Sequence, residues 1–223
     1  MTIETQFLQS IPYFADLTPA DISSIKSQMF EKKAERGELI VLEGDSAEVL
    51  YFVASGVVKV LKTSPEGKEQ ILHIVRPGES FNDVAIFDGQ PVPETAAAMG
   101  PVILCGITKS SMISLMKDYP QVAQNVTQVL AKRVRDLLSL VEDLSFKHVI
   151  SRVAKILLEH AGDGAGQGQR LTQQDMAAMA GTAREVIGRS LRSLEDEGAI
   201  KLDRHRIVIT DREVLKEIME SPI

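Results

Sequence analysis

The chain has 223 residues, 44% of them apolar, with 25 basic and 31 acidic side chains and a formal charge of −6. That length can bury one large core or two smaller ones; no apolar run reaches the roughly 20 residues of a membrane helix, and MTIETQFLQS lacks the basic start and apolar stretch of a signal peptide, so a cytoplasmic location is expected. The single cysteine, Cys105, excludes an internal disulfide and a four-thiolate zinc or iron–sulfur site built from one chain.

In chain order, the first helix signal is Thr18-Pro19-Ala20-Asp21: a capping threonine, a proline suited to the first helical position and an acid three residues after the cap. It predicts a short helix to about Phe30. From there to about Thr108 the pattern is β-rich, with runs at Glu38–Leu42, Val49–Ala54, Val57–Lys62, Gln70–Val75 and Val102–Ile107. Glycines at 37, 44, 56, 67, 78 and 89 punctuate them at a spacing of roughly 11 residues, as turns of an antiparallel β-roll do. Residues 1–118 therefore form an expected sensor domain of an α+β protein.

Residues 119–146 contain no internal glycine and predict one long amphipathic helix. Leu130, Leu137 and Leu144 repeat every seven residues, with Val134 and Val141 at the partner spacing, and Val126 extends the stripe. Val126, Leu130, Val134, Leu137, Val141 and Leu144 are the expected homodimer interface. A further helix at Val149–His160 runs into a connector of alternating glycines at 162–168, which has the spacing of a flexible link and not of a phosphate loop.

The third expected domain is residues 147–223, whose 12 basic and 12 acidic residues balance, so the acidic excess of the chain lies before it. Within it, LTQQDMAAMAGTAREVIGRSLRSLEDEGAI at 171–200 reads as a helix-turn-helix. Thr172 and Asp175 open the first helix in a capping box, Gly181 supplies the left-handed turn, and a second helix runs from about Ala183 to Glu197. Val186, Ile187, Leu191 and Leu194 face inward, while Arg184, Glu185, Arg189, Arg192 and Ser193 project. A recognition helix reads the major groove from its N-terminal half. Arginine donates twice to guanine and glutamate accepts from cytosine, so Arg184, Glu185 and Arg189 are the expected base readers of a G·C-containing half-site. Gly198–Ile209 reads as a β-hairpin wing with Arg204, His205 and Arg206 at its tip, suited to phosphate contact. The four histidines lie in separate segments and no nucleophile elbow or phosphate loop is present, which argues against an enzyme.

These residues resemble the bacterial regulators that include the cAMP receptor protein and the fumarate–nitrate reduction regulator. The most specific element is Arg184-Glu185-Val186-Ile187-Gly188-Arg189, similar to the Arg-Glu-x-x-Gly-Arg pattern of the cAMP-receptor branch; Gly188 stands where the oxygen-sensing branch has serine. The resemblance implies a cyclic-nucleotide-binding-like roll of the double-stranded β-helix type, a winged helix-turn-helix, a homodimer on palindromic TGTGA-like half-sites, and RNA polymerase as a partner. It implies phosphate contacts from Thr172 and Gln174, to which Thr182 and Arg192 are added.

The sensor half departs from that pattern. Where relatives carry Gly-Glu for a ribose and Arg-Ser-Ala for a phosphate, this chain has Asn82-Asp83 and Glu94-Thr95-Ala96. Glu94 repels a phosphate that an arginine would pair with, and Leu137 and Leu138 stand where hydroxyls meet adenine. Both changes argue against cAMP. The expected alternative is an apolar effector pocket of Phe81, Ile86, Phe87, Met99, Leu137 and Leu138, with Asn82, Asp83 and Thr95 as polar contacts. It suits a small organic effector, or haem ligated by His73 or Met99 for CO or NO sensing. A ligand-binding protein with a vestigial DNA head is the remaining alternative.

Overall fold

The computed structural model describes residues 4–160, 171–203 and 206–221; the glycine-rich connector and, at the wing tip, Arg204 and His205 lie outside the described residues. By their internal contacts the residues form two compact units. One comprises residues 1–62 and 72–136, the other 63–71 and 137–223. The first unit includes most of the long helix, which the sequence pattern sets apart as a segment of its own.

In the first unit, α1 (Thr5–Ser10), a 3-10 turn (Pro12–Phe14) and α2 (Pro19–Lys26) precede the strands. Thr18 caps α2 in the expected capping box with Asp21. The helix stops at Lys26 and not near Phe30, because Phe30 belongs to β1 (Met29–Ala34), which pairs along its whole length with β8 (Val102–Thr108). Two antiparallel four-stranded sheets form the roll. One has the order β1–β8–β3–β6, with β3 at Val49–Ser55 and β6 at Ser80–Phe81. The other has the order β2–β7–β4–β5, with β2 at Leu39–Val41, β7 at Thr95–Ala98, β4 at Val58–Thr63 and β5 at Glu69–Val75. The sequence pattern misses β1, β6 and β7. β1 is half charged and β6 is two residues long; β7 is Thr-Ala-Ala-Ala, whose buried alanines lack the bulk that marks a strand.

Between β6 and β7 lies α3 (Asp83–Asp88), and α4 (Lys109–Asp118) follows β8, capped by Thr108. One core joins Tyr13, Phe14 and Phe52 to Ile86, Met112 and Val122; a second joins Val53, Val60, Phe81 and Leu104. α5 (Pro120–Phe146) is a single 27-residue helix, as expected. Its opening turns serve the roll: Val122 and Val126 are buried in the first core, and Asn125 Nδ2 donates to the carbonyls of Tyr13 and Ala15 at 3.2 and 2.9 Å. Val126, 3% exposed, is thus removed from the expected dimer interface, because this part of the stripe is spent on the helix's own roll.

The second unit contains α6 (Val149–His160), α7 (Gln173–Ala180), α8 (Arg184–Asp196), the hairpin β9 (Ile200–Asp203) with β10 (Arg206–Ile209), and α9 (Arg212–Glu220). Val153, Ala154 and Leu157 of α6 pack with Met176, Ala177 and Ala180 of α7, with Ile187, Leu191 and Leu194 of α8, and with Leu215 of α9. Val186, expected inside, is only partly buried, as is Met179.

Candidate nucleic-acid interface

α7 begins where Thr172 accepts from the Asp175 N–H at 3.0 Å while the Asp175 carboxylate accepts from the Thr172 N–H, also at 3.0 Å. It ends at Gly181, whose φ of 65° is the left-handed geometry that side-chain-bearing residues resist. Thr172→Ala should lower the unfolding free energy by about 1 kcal/mol, read by thermal or urea unfolding; an unchanged midpoint shows that the cap contributes nothing. The Thr172 hydroxyl also donates to Asp175 Oδ2 at 2.7 Å. Its one proton is therefore committed, and the expected phosphate contact by Thr172 requires that bond to break. Gln174 and Arg192 are exposed, and Thr182 is partly so.

α8 presents Arg184, Glu185, Arg189 and Arg192 to solvent, while Ile187, Leu191 and Leu194 on the opposite face are buried. Arg184, Glu185, Gly188, Arg189 and Arg192 line one concave surface, completed by Gln173 from α7. At Gly188 an added Cβ would meet nothing within 4 Å, so the missing side chain leaves that surface open. The three expected base readers are brought together. Gln173 escapes the sequence pattern because the spacing within a helix does not show what the neighbouring helix places beside it.

Each unit also holds a polar cluster. In the second unit, Arg152 on α6 donates to three carbonyls: Lys147 at 2.6 Å, Asp143 at 3.3 Å and Ala180 at 2.9 Å. It thereby ties the last turn of α5 to the end of α7. The Asp143 carboxyl bonds Lys147 at 2.9 Å and pairs with Lys155. Burial alone raises such a carboxyl, but the two ammonium groups outweigh it and hold Asp143 below its usual range.

In the first unit, a buried charged cluster stands among the residues of the expected apolar effector pocket. Phe81 stacks on Tyr51 at 5.4 Å in one core, while Ile86 and Phe87 belong to the other. Asp83 is fully buried. Tyr13 Oη donates to it at 2.9 Å and Ser80 Oγ at 3.0 Å, and Arg133 of α5 forms an ion pair with it. Arg133 Nη2 also donates to the Ser80 carbonyl at 2.8 Å. The sequence pattern overlooks Arg133 because it lies on a helix read for its apolar stripe. Asn82, at φ 67°, is held in left-handed geometry by its Nδ2 bond to the Val49 carbonyl at 2.8 Å. Thr95 Oγ1 accepts from the Glu43 N–H at 3.2 Å, and Met99 is buried. Leu137 and Leu138 are exposed in the single chain.

Burial, then the nearby Asp83, pushes the Glu94 carboxyl up. Burial, then Arg133, pushes the His73 imidazole down to about 4, and its Nε2 is buried without a hydrogen bond among the described residues. His73 is therefore neutral, and the fold gives up stability on acidification. The unfolded chain protonates near pH 6.5 while the folded one does not, so the loss accumulates from about pH 6.5 down to about pH 4 and reaches on the order of 3 kcal/mol. His73→Gln should flatten the pH dependence of unfolding across that window relative to the parent. Identical slopes contradict the assignment. Cys105 is buried and its thiol is pushed up to about 11 by burial and by Glu31, so it stays protonated.

Residues 31–119 match the cyclic nucleotide-binding domain and residues 151–218 the Crp-like helix-turn-helix domain. The chain is 30% identical over 211 residues, 95% of its own length and 98% of the relative's, to the cyclic AMP receptor protein of Thermus thermophilus. It is 31% identical over 209 residues, 91% of its length and 93% of the relative's, to a CRP-like cAMP-activated global transcriptional regulator of Mycobacterium tuberculosis. A solved structure described as a transcriptional regulator of the crp/fnr family from Eubacterium rectale matches with a TM-score of 0.78 at 27% identity, over 96% of this chain and 100% of that one. With a cyclic-nucleotide-type roll, a long helix and a helix-turn-helix in that order, the chain belongs to the Crp/Fnr family of transcriptional regulators.

Proposed function

We propose that the protein is a homodimeric, sequence-specific regulator that binds palindromic TGTGA-like sites under the control of an effector other than cAMP. The observation that carries this reading is the concave face of α8, on which Arg184, Glu185 and Arg189 stand together, exposed, on a helix whose other face is packed. Arg184 and Arg189 donate to guanine edges and Glu185 accepts from cytosine. Gln174, Thr182, Arg192 and, from the wing, Arg204, His205 and Arg206 hold the phosphates and set register.

Dimerisation through α5 is supported by Val134, Leu137, Val141 and Leu144. They follow one another at three- and four-residue spacing and are 56, 39, 60 and 37% exposed in the single chain. Such a stripe is costly to leave in water. Light scattering should give twice the 24.4 kDa chain mass, and Val141→Glu should halve it; a monomeric parent contradicts the dimer.

Control by something other than cAMP is supported by the charges of the roll. Arg133 is committed to Asp83 and Lys62 to Glu43, and Glu94 stands where the resemblance places a phosphate-pairing arginine. Selection from random duplexes tests the DNA reading: an inverted repeat with TGTGA-like arms is expected, and recovery of no motif or an unrelated one rejects it.

A further inference from the structure

We propose that Gln70 and Lys68 are positioning residues for DNA reading: from the turn between β4 and β5 they hold carbonyls of the turn between α7 and α8 and so set the start of α8. The inference rests on the reading of α8 as the DNA-reading helix. Three observations carry it.

The first is how little the helix-turn-helix does to fix its own turn. Only Gly181, Thr182 and Ala183 separate the last residue of α7 from the first of α8. α7 has no basic residue in its last turn to meet its terminal carbonyls. α8 starts after Ala183, whose side chain makes no cap.

The second is what meets those carbonyls. Three in succession accept from side chains outside the motif: Met179 from Gln70 Nε2 at 3.3 Å, Ala180 from Arg152 Nε at 2.9 Å and Gly181 from Lys68 Nζ at 3.3 Å. Arg152 and Lys68 are cations at the carbonyl end of a helix, where positive charge is favourable. Lys68 is placed there by a closed turn, in which the Ser64 N–H donates to the Lys68 carbonyl at 2.9 Å and the Ser64 hydroxyl accepts from the Lys68 N–H at 3.2 Å. Residues 63–71 accordingly group with the second unit, although the strand residues on either side of them group with the first.

The third is the close approach at Gly181. A Cβ added there would lie 3.0 Å from Gln70 Oε1 and 2.8 Å from a Leu144 methyl. The Gln70 carboxamide thus lies against the turn itself, and it also donates to the neighbouring Ile71 carbonyl at 3.1 Å, which fixes its plane. A turn held in this way presents Arg184, Glu185 and Arg189 already ordered, so less of the energy of base contact is spent on ordering them.

Fluorescence anisotropy on the full-length protein, with a palindromic TGTGA duplex and a scrambled one, tests the role, because the ratio of the two affinities cancels general attraction to phosphate. Gln70→Met keeps the length of the side chain and removes its donors; it should lower the ratio about tenfold and speed amide exchange in residues 181–187, while β3 and β8 keep their protection. Gln70→Lys brings a donor back and should recover the ratio to within about threefold of the parent. Lys68 is exposed, so Lys68→Met decides alone if Gln70→Met does not fold, and it should lower the ratio about threefold. If the parent prefers the palindrome and the methionine variants keep that preference within about twofold, the positioning role is overturned and the DNA reading stands. A Gln70→Lys variant no better than Gln70→Met also overturns the role. A parent that binds both duplexes equally overturns the DNA reading and the proposal together.

Discussion

Replacing both Arg184 and Arg189 by alanine should weaken binding to a duplex carrying two TGTGA arms by about 100- to 10,000-fold, since each bidentate base contact discriminates by about 1–3 kcal/mol. The loss should be much smaller on a scrambled duplex, because the arginines then lose only general attraction to phosphate. Both side chains are exposed, and the packing of α8 rests on Ile187, Leu191 and Leu194, so circular dichroism and melting should be unchanged. Arg192→Ala provides the contrast. As a phosphate contact it should weaken both duplexes alike and reduce the salt slope by about one. If the double variant loses the same factor on both duplexes, the two arginines do not read bases.

The second large effect concerns stability. Gly56 adopts φ 85°, and a Cβ added there would lie 2.4 Å from the Pro101 carbonyl and 2.7 Å from a Val102 methyl. Gly44 has a similar φ of 90° but open space around the same point. Gly44→Ala should therefore cost only the left-handed conformation, about 1–2 kcal/mol, whereas Gly56→Ala must also push the backbone before β8 away and should cost more than about 3 kcal/mol. Urea unfolding of the pair measures the difference. Equal losses would mean that conformation alone fixes both glycines.

That pair also shows what a linear pattern conveys. The turn glycines are legible because their spacing alternates with apolar runs, yet nothing in the spacing separates Gly56, which another strand approaches, from Gly44, which has open space around it. The helix-turn-helix is legible almost to the residue: Thr172, Gly181 and the period of Ile187, Leu191 and Leu194 are local signals, and local signals set helix ends. The roll's polar site is not. It depends on Arg133 arriving from a helix 50 residues beyond Asp83, on a strained Asn82 and on a Tyr13 hydroxyl from the N-terminal turn. None of these has a spacing that announces it, and Phe81, Ile86 and Met99 read by themselves suggest an apolar pocket. Val126 is misplaced by the pattern for a related reason. One helical stripe serves two neighbours in turn, the roll over its first turns and solvent or a partner later, and periodicity does not mark the change.

The same cluster bears on what the sensor can take. The relatives include a cyclic AMP receptor protein and a cAMP-activated regulator, and in this chain charges at the roll are paired with one another. Asp83 is matched by Arg133 and Glu43 by Lys62. The positive charge that Glu94 feels comes from those same two committed groups, and burial and Asp83 prevail over it to push the carboxyl up.

Fluorescence anisotropy with a palindromic TGTGA duplex and a scrambled one, each with and without saturating cAMP, is the most direct test. Affinity for the palindrome should exceed that for the scrambled duplex by about 1,000-fold or more, and cAMP should change neither. Equal affinity for the two duplexes would contradict base reading by α8, and a tenfold or greater gain with cAMP would contradict the role given to Glu94 and Arg133.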